Sequence, residues 1–366
     1  MSWDTLRSQF PALRHFTYLN SATFGQMALR TQAAVARHFA HRDEHACADF
    51  LTWFDDMDEL RGLIGQLVHC EANDIAFVSN AAAALSLFLG GIDWQPGDLV
   101  ATLPDEFPNQ YYYANWLQSR GVELVEVPGM TTLPERTRAI VISTVNYTNG
   151  YRPDLIEISA HARAAGALLY VDGTQSLGAL QFDVQAVRPD MFAVDGYKWL
   201  LCPNGATFFY ITPELRRRIP PAVIGWRSDQ GWRSVDELHH GVPQFPEAAE
   251  RYEGGMLSFP SLYGMAEAVR MLLEMEPANV EKRVLELAGQ TAEIMQASGA
   301  EIRHTDTNIV AGCWPDRDAS QLARDLRAKG IIVAARHGNL RVSPHFYNNQ
   351  QDLEVFRDAL NRYTSG

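Results

Sequence analysis

The sequence predicts an α/β protein with a large, mainly parallel sheet between helices and a smaller α+β domain. Short, almost continuously apolar segments alternate with helical patterns between residues 75 and 211, which is typical of a parallel sheet buried on both faces. The chain has 366 residues, of which 46% are hydrophobic and 20% charged, enough for a sizeable core and two domains. We expect residues 15–246 to form the large domain, and residues 1–14 with 247–366 to form the small one.

Hydrophobic periodicity predicts the individual elements in order. Helical spacing of apolar residues favours helices over residues 55–70, 153–165, 261–274 and 280–297. Apolar runs predict strands at 75–78, 99–103, 122–127, 139–143, 167–171, 191–194 and 206–211, and later at 309–312 and 331–333. Residues 213–246 are rich in Trp, Pro and Gly and are expected to form an irregular connection.

Composition excludes several classes of partner. The formal net charge is −13 and there is no dense Lys/Arg run, so neither a nucleic acid nor a membrane is expected as a partner. The four cysteines are scattered, without zinc-ligand spacing, which favours reduced thiols and no metal. Residues 1–20 lack a signal-peptide pattern and no apolar run is long enough to span a bilayer. A cytoplasmic location is expected.

Ligands of an open α/β sheet bind beyond the carboxyl ends of its strands, so the residues that follow each strand matter most. Asp172 comes directly after the apolar run 168–171. A buried carboxylate is costly without a cation or a hydrogen-bond donor, and a protonated pyridine nitrogen would be such a partner. The alternative is an Asp that caps the next turn.

Lys198 follows the apolar run 191–194 and lies between Tyr197 and Trp199. Desolvation in such a setting lowers the pKa of the amine and makes it available for a Schiff base. The alternative is a lysine whose stem packs while its ammonium reaches water.

The third strand end leads into a helix whose first turn begins Asn80-Ala81-Ala82. Free backbone amides and the helix dipole favour an anion there, such as a phosphate, although an ordinary capped helix would have the same residues. Taken together, an anion site, a carboxylate for a ring nitrogen and an aldehyde-binding lysine describe one cofactor, pyridoxal 5′-phosphate (PLP).

At these residues the sequence resembles the class V aminotransferases. They are a branch of the fold-type-I PLP-dependent transferases that includes cysteine desulfurases, kynureninases and isopenicillin N epimerase-like proteins. The resemblance extends over nearly the whole chain and is carried by segments 18–22, 80–82, 106–109, 172–175, 196–200, 259–264 and 340–348. It implies a homodimer and the fold-type-I architecture.

The resemblance also implies roles for the cofactor residues. Lys198 would hold PLP as a Schiff base and shuttle the α-proton, and Asp172 would pair with the pyridine nitrogen. The remaining contacts would be Gln175 by the phenolic oxygen, Phe107 on the ring face, the turn of Asn80, Ala81 and Ala82 at the phosphate, Tyr197 in place of the common His, and Gly255 and Met256 at the partner's phosphate. The family often has Thr or Ser where this chain has alanines.

By the same resemblance, Arg341 would bind the substrate carboxylate through its guanidinium fork, unless it is a surface arginine. Asn20 and His345 would line the substrate pocket. Either Asn146 or Tyr147 would reach the cofactor, and the local pattern does not choose between them.

The predicted function is therefore a PLP-dependent enzyme acting on an amino acid, first of all an aminotransferase that also uses a 2-oxo acid. The alternatives are a C–S lyase or an epimerase of the same family, and a non-catalytic interaction protein with this fold. A nicotinamide-binding enzyme is disfavoured because no G-x-G-x-x-G motif follows the early strands. No cysteine occurs in residues 333–341, so we expect no persulfide-forming desulfurase activity. The substrate remains open.

Overall fold

The computed structural model describes residues 2–364, with the side chains of 363 and 364 outside the description. The helices are α1 (Trp3–Arg7), α2 (Leu29–His45), α3 (Thr52–Val68), α4 (Ala81–Gly90), α5 (Pro108–Trp116), α6 (Leu155–Ala165), α7 (Val184–Val187), α8 (Pro213–Arg218), α9 (Phe259–Glu274), α10 (Pro277–Ala297), α11 (Ala319–Ala328) and α12 (Gln350–Thr364). The strands are β1 (Thr17–Tyr18), β2 (Ile75–Val78), β3 (Leu99–Thr102), β4 (Glu123–Glu126), β5 (Thr137–Ser143), β6 (Leu168–Asp172), β7 (Met191–Asp195), β8 (Thr207–Ile211), β9 (Glu301–Ile302), β10 (Val310–Cys313), β11 (Ile331–Ile332), β12 (Ala334–Arg336) and β13 (Asn339–Val342).

The large sheet has seven strands in the order β2-β8-β7-β6-β5-β3-β4. The run from β4 through β7 is parallel, whereas β8 pairs antiparallel with both β7 and β2. All seven strands expected in this part of the chain form. The α/β fold class with a mainly parallel sheet between helices is confirmed.

The central strands are apolar along most of their length because both faces of the sheet are covered. Val141 and Tyr170 pack with Phe88 of α4 in one hydrophobic cluster. Ile140 and Leu169, the next residue back on each strand, belong to a second cluster on the opposite face. Side chains of a strand alternate between faces, so two buried faces require the continuous apolar runs that the sequence contains.

A smaller sheet of order β12-β13-β10-β9 lies in the C-terminal part of the chain. β1 joins this region, because residues 17 and 18 pair in parallel with Ile331 and Ile332, and Asn20 forms a bridge with Ser343. The predicted domain limits at residues 15 and 246 stay predictions. Within residues 2–364, no helix has both the length and the apolar character needed to cross a bilayer.

The irregular connection after β8 is fixed by a buried carboxylate. The side chain of Glu253 is fully buried and accepts hydrogen bonds from Arg61 Nη2 at 2.6 Å, Arg227 Nη2 at 2.9 Å and the amide of Phe77 at 3.0 Å. These bonds tie α3 and β2 to the connection and position the segment 254–256. Removing one member of such a cluster leaves uncompensated buried charges.

We expect Glu253→Ala to lower the free energy of unfolding by about 3–5 kcal/mol, because two buried guanidinium groups would lose their shared counter-ion. Urea denaturation measures this loss. Glu214→Ala is the matched control, since that side chain is 72% exposed and its pair with Arg217 is at the surface, where such pairs contribute little. Equal unfolding midpoints for the two variants would contradict the assignment.

Candidate active site

The carboxyl ends of β5, β6 and β7 lie side by side, since Ser143 is the register partner of Asp172 and Asp172 that of Ala193. Lys198 follows β7 after a short turn. One pocket gathers the three strand ends that the sequence singled out, and it is lined by Ala81, Phe107, Asn109, Ser143, Tyr147, Asp172, Thr174, Gln175, Asp195, Tyr197 and Lys198.

Lys198 is buried, with 8% of its surface exposed. Its Nζ lies 5.6 Å from the ring centre of Phe107 and 5.6 Å from that of Tyr197. Burial lowers the pKa of Lys198 to about 8; Asp172 opposes this shift and Arg341 adds to it. A substantial fraction of the amine is therefore neutral near pH 8, the form that attacks an aldehyde.

The turn that carries Lys198 packs against Gly25. The amide of Gly25 donates to the carbonyl of Tyr197 at 2.9 Å, and a Cβ at position 25 would collide with the carbonyl oxygen of Lys198. Sequence reasoning missed this glycine, because the two segments meet only in the folded chain.

Asp172 is buried at the end of β6, and its Oδ1 accepts from the amide of Thr174 at 2.9 Å. Burial raises the pKa of its carboxyl group, while hydrogen bonds from Thr174 oppose the shift. A buried carboxylate held by one neighbouring residue and facing Lys198 suits a pyridine nitrogen, whose proton would supply the missing partner. The residues present thus fit the ring of PLP.

Phe107 is held over Lys198 by Glu106, a residue to which the sequence assigned no role. The buried Glu106 carboxylate accepts from Ser143 N and Oγ, each at 2.6 Å, and from the Phe107 amide at 3.2 Å. Burial raises the pKa of Glu106 to about 7. Glu106 links Phe107 to the strand next to Asp172.

Gln175 and Tyr197 also lie in the pocket. Gln175 donates to the carbonyl of Ala22 at 3.2 Å and accepts from Trp199 Nε1 at 3.1 Å, so its amide already has two protein partners. Burial raises the pKa of Tyr197 to about 12. Its hydroxyl therefore stays protonated near neutral pH and can donate a hydrogen bond to an anion.

The Ala81 amide, expected to bind the phosphate, has a partner within the chain. Asn80 caps α4 and accepts from the amide of Ala83 at 2.9 Å, and Ala82 is exposed in the first turn. The amide of Ala81, however, donates to Asp195 Oδ1 at 3.1 Å, and Thr207 Oγ1 donates to the same oxygen at 2.5 Å. The chain's own carboxylate thus uses one of the donors that a phosphate would need.

Arg341 is 1% exposed. Its Nη1 donates to the Tyr147 carbonyl at 2.7 Å and its Nη2 to Thr23 Oγ1 at 2.6 Å, while Nε has no partner within the described chain. Burial lowers the pKa of Arg341 to about 9. Among residues 2–364 no carboxylate forms an ion pair with it, so this buried cation is suited to an external carboxylate.

Asn20 and His345 are not among the residues that line the Lys198 pocket. Asn20 Oδ1 accepts from Thr23 Oγ1 at 2.9 Å and so supports the hydroxyl that holds Arg341. His345 was expected to line the substrate pocket, but it is fully buried, with Nε2 2.9 Å from the Trp199 carbonyl and Nδ1 accepting from the Phe346 amide. Burial lowers its pKa to about 4, so His345 is a neutral support beneath the lysine turn.

Of the remaining predicted residues, one lines the Lys198 pocket and the others do not. Tyr147 lines the Lys198 pocket, whereas the Asn146 side chain accepts from Thr148 and Asn149 within its own turn. Gly255 and Met256 are not among the residues that line this chain's pocket, and Met256 is 57% exposed.

The site can now be set beside known proteins. Residues 29–364 match the family described as Aminotransferase class-V. The chain belongs to this family. Its members depend on PLP, so the predicted cofactor and enzyme class are confirmed at the level of the family.

Two relatives and one solved structure are similar to this class V chain over most of its length. A probable cysteine desulfurase of Methanothermobacter thermautotrophicus is 23% identical, over 98% of each chain. The isopenicillin N epimerase of Streptomyces clavuligerus is also 23% identical, over 84% of each chain. The structure of the cystine C–S lyase C-DES with its product cysteine persulfide has a TM-score of 0.88 at 20% identity, covering 96% of this chain and 99% of that one.

We expect the apoprotein to capture PLP at a rate that rises with pH around a midpoint near 8. The pKa of Lys198 is lowered to about 8, so its ammonium loses the proton there rather than near 10.5. Borohydride trapping followed by mass spectrometry measures the capture. Lys198→Ala should trap nothing at this position, and a rate that keeps rising to pH 10 would contradict the lowered pKa.

Asp195→Asn should bind PLP more tightly than the unchanged protein, on the order of tenfold at neutral pH. The amide oxygen can still accept from Ala81 and Thr207, but the negative charge beside the phosphate position is gone. Equilibrium dialysis of the apoprotein with PLP gives the two dissociation constants. Asp93→Asn, at an exposed loop position, is the control, and weaker binding by Asp195→Asn would refute the argument.

Proposed function

We propose that this class V enzyme is a C–S lyase that eliminates the sulfur substituent from a cysteine-like amino acid. The observation that carries the proposal is the composition of the pocket: it contains the buried Lys198 together with Asp172, and no described cysteine lines it. The names of the relatives, desulfurase and epimerase, and the fold shared with a cystine C–S lyase support sulfur and Cα chemistry. Transamination, which the sequence placed first, becomes the second candidate.

PLP, when bound, withdraws electrons from the Cα of an attached amino acid. The residues of the chain would provide the rest. Asp172 keeps the ring nitrogen protonated, Phe107 covers one ring face, and Arg341 holds the α-carboxylate through two parallel N–H groups. This orientation directs the Cα–H bond toward Lys198.

Lys198 Nζ accepts the proton from Cα, and the Cβ–S bond breaks with its electron pair leaving on sulfur as a thiolate. Water then converts the released dehydroamino acid to pyruvate and ammonium. The balance for cysteine is one water consumed for one pyruvate, one ammonium and one hydrogen sulfide, whose sulfur takes up a proton after it leaves as a thiolate. No oxidant and no amino acceptor is required.

The positions of the four cysteines favour this reaction over that of a desulfurase, which attacks the substrate sulfur with a protein thiolate. Cys202 is buried, its thiol donates to the Leu200 carbonyl at 3.3 Å, and burial raises its pKa well above the usual range. Cys313 lines a neighbouring cavity, and Cys47 and Cys70 belong to the region around α3. A thiol that is both acidic and mobile is what a desulfurase needs.

A homodimer is part of the proposal. The turn at Gly255 and Met256 lies outside its own pocket, and apolar side chains beside it, Val223 and Ile224, are 61% and 60% exposed. Exposed apolar side chains of this kind favour an interface. In the homodimer, the turn at Gly255 and Met256 would reach the phosphate position of the partner's site.

Incubation with L-cystine or L-cysteine, without any 2-oxo acid, should give pyruvate and ammonium over many turnovers. Ammonium and pyruvate are quantified enzymatically, and amino-acid products by chromatography. Lys198→Ala should give none, whereas Cys202→Ser and Cys313→Ser should retain most of the rate.

Other products would identify other reactions. Alanine with a protein persulfide, lost in one of the serine variants, would mean a desulfurase. A single turnover that resumes only when a 2-oxo acid is added would mean an aminotransferase. Either result would overturn the lyase assignment.

A further inference from the structure

A second arginine lies beside Arg341 on the same face of the small sheet. In the β12–β13 hairpin, Ala334 pairs with Arg341 and Arg336 pairs with Asn339. Directly opposed residues of an antiparallel pair point to the same side, as do residues two apart on one strand. Arg336 and Arg341 are thus diagonal neighbours, with Cα atoms about 7–8 Å apart or less in regular sheet geometry.

Arg336 has no counter-ion in the described chain. Its Nη1 donates to the carbonyl of Ala335 at 2.7 Å, and within residues 2–364 no carboxylate lies within 4 Å of Arg336, Arg341 or Lys198. Three acids of this region are otherwise placed. Glu106 is bonded to Ser143 and Phe107, and Asp105 and Glu301, which line the cavity beside the hairpin, are exposed.

Arg336 is near enough to Lys198, Arg341 and Tyr147, which lines the Lys198 pocket, to act on them electrostatically. Burial lowers the pKa of Lys198 and of Arg341, and Arg336 adds to both shifts. Burial raises the pKa of the Tyr147 hydroxyl, and Arg336 opposes that shift. Like charges that converge without protein counter-ions are costly in a partly buried site unless a ligand neutralises them.

Space for a substrate side chain exists beside the hairpin. A cavity of about 570 Å³ is lined by His337 and Asn339 of the hairpin, Ala311 and Cys313 of β10, and Asp105 and Thr148 of the large-sheet region. Ala311 is the register partner of Arg341, so the cavity lies along the sheet face that carries both arginines. Tyr147 connects it with the Lys198 pocket through a 3.0 Å hydrogen bond to His337.

We propose that Arg336 binds an anionic group on the side chain of the substrate, so that the preferred substrate is an S-substituted cysteine with a carboxylate beyond the sulfur. This inference rests on the proposed C–S lyase function. Lys198 is committed to the cofactor and Arg341 to the α-carboxylate, and Arg336 is the cation that lies beside Arg341 on the same sheet face. Arg303 also lines the cavity but follows β9 and is not part of the hairpin. The planar fork of Arg336 can hold a second carboxylate in two hydrogen bonds.

S-Carboxymethyl-L-cysteine and its neutral isostere S-carbamoylmethyl-L-cysteine test the proposal as a matched pair of substrates. We expect the acid to have a KM lower than that of the amide by about tenfold or more, the size of one charge-assisted interaction. In Arg336→Gln the two KM values should converge to within about threefold. Arg336→Lys should restore part of the preference.

Arg324→Gln is the control variant, since Arg324 is exposed on α11 and bonded to Gln321. It should keep the full preference for the acid. Equal KM values for acid and amide in the unchanged enzyme, or a preference that survives in Arg336→Gln, would overturn the proposal.

A binding measurement separates this inference from the proposed reaction. L-Glutamate and L-glutamine contain no sulfur to eliminate, and their dissociation constants follow from the change in visible absorbance of the holoenzyme. A preference for glutamate that disappears in Arg336→Gln, in an enzyme that forms no pyruvate, would retain the anion subsite and refute the lyase. Pyruvate formation from sulfur substrates, with equal dissociation constants for glutamate and glutamine, would support the lyase and refute the anion subsite.

Discussion

The burial of Lys198 at the carboxyl edge of the large sheet is the constraint on which the site depends. Desolvation lowers its pKa to about 8, and this requires the surrounding segments to exclude water closely. Gly25 allows one segment to contact the lysine turn, and Trp199 and His345 pack beneath it. Residues from both the N-terminal and the C-terminal parts of the chain therefore help to bury the Lys198 amine.

Among the described residues, the charged side chains around the Lys198 amine are not neutralised by ion pairs with one another. Asp172 and Glu106 are buried acids held by hydrogen bonds with neighbouring residues, whereas Arg341 and Arg336 converge on the same space without ion-pair partners in residues 2–364. Structural ion pairs would neutralise one another, as the Glu253 cluster does. Unpaired charges of both signs are instead typical of a site that is completed by a cofactor and an anionic substrate.

Membership of the class V family fixes the cofactor more firmly than the reaction. Relatives named as desulfurase and epimerase match most of the chain's length, and a Cα proton transfer is common to elimination and transamination. What separates them is the position of a few side chains, above all a reactive thiol. Here Cys202 is buried against the Leu200 carbonyl, away from the pocket lining.

The sequence by itself determined the seven strands of the large sheet, since burial on both faces requires mainly apolar residues in the central strands. It also placed Asp172 at the end of one of those strands and Lys198 shortly after the next. The fold and the cofactor followed from these local patterns. Only the tertiary structure decided that His345 supports the lysine turn, that Asp195 occupies the Ala81 amide and that Arg336 lies beside Arg341. Each of these depends on contacts between distant segments or on strand register, which local patterns do not specify.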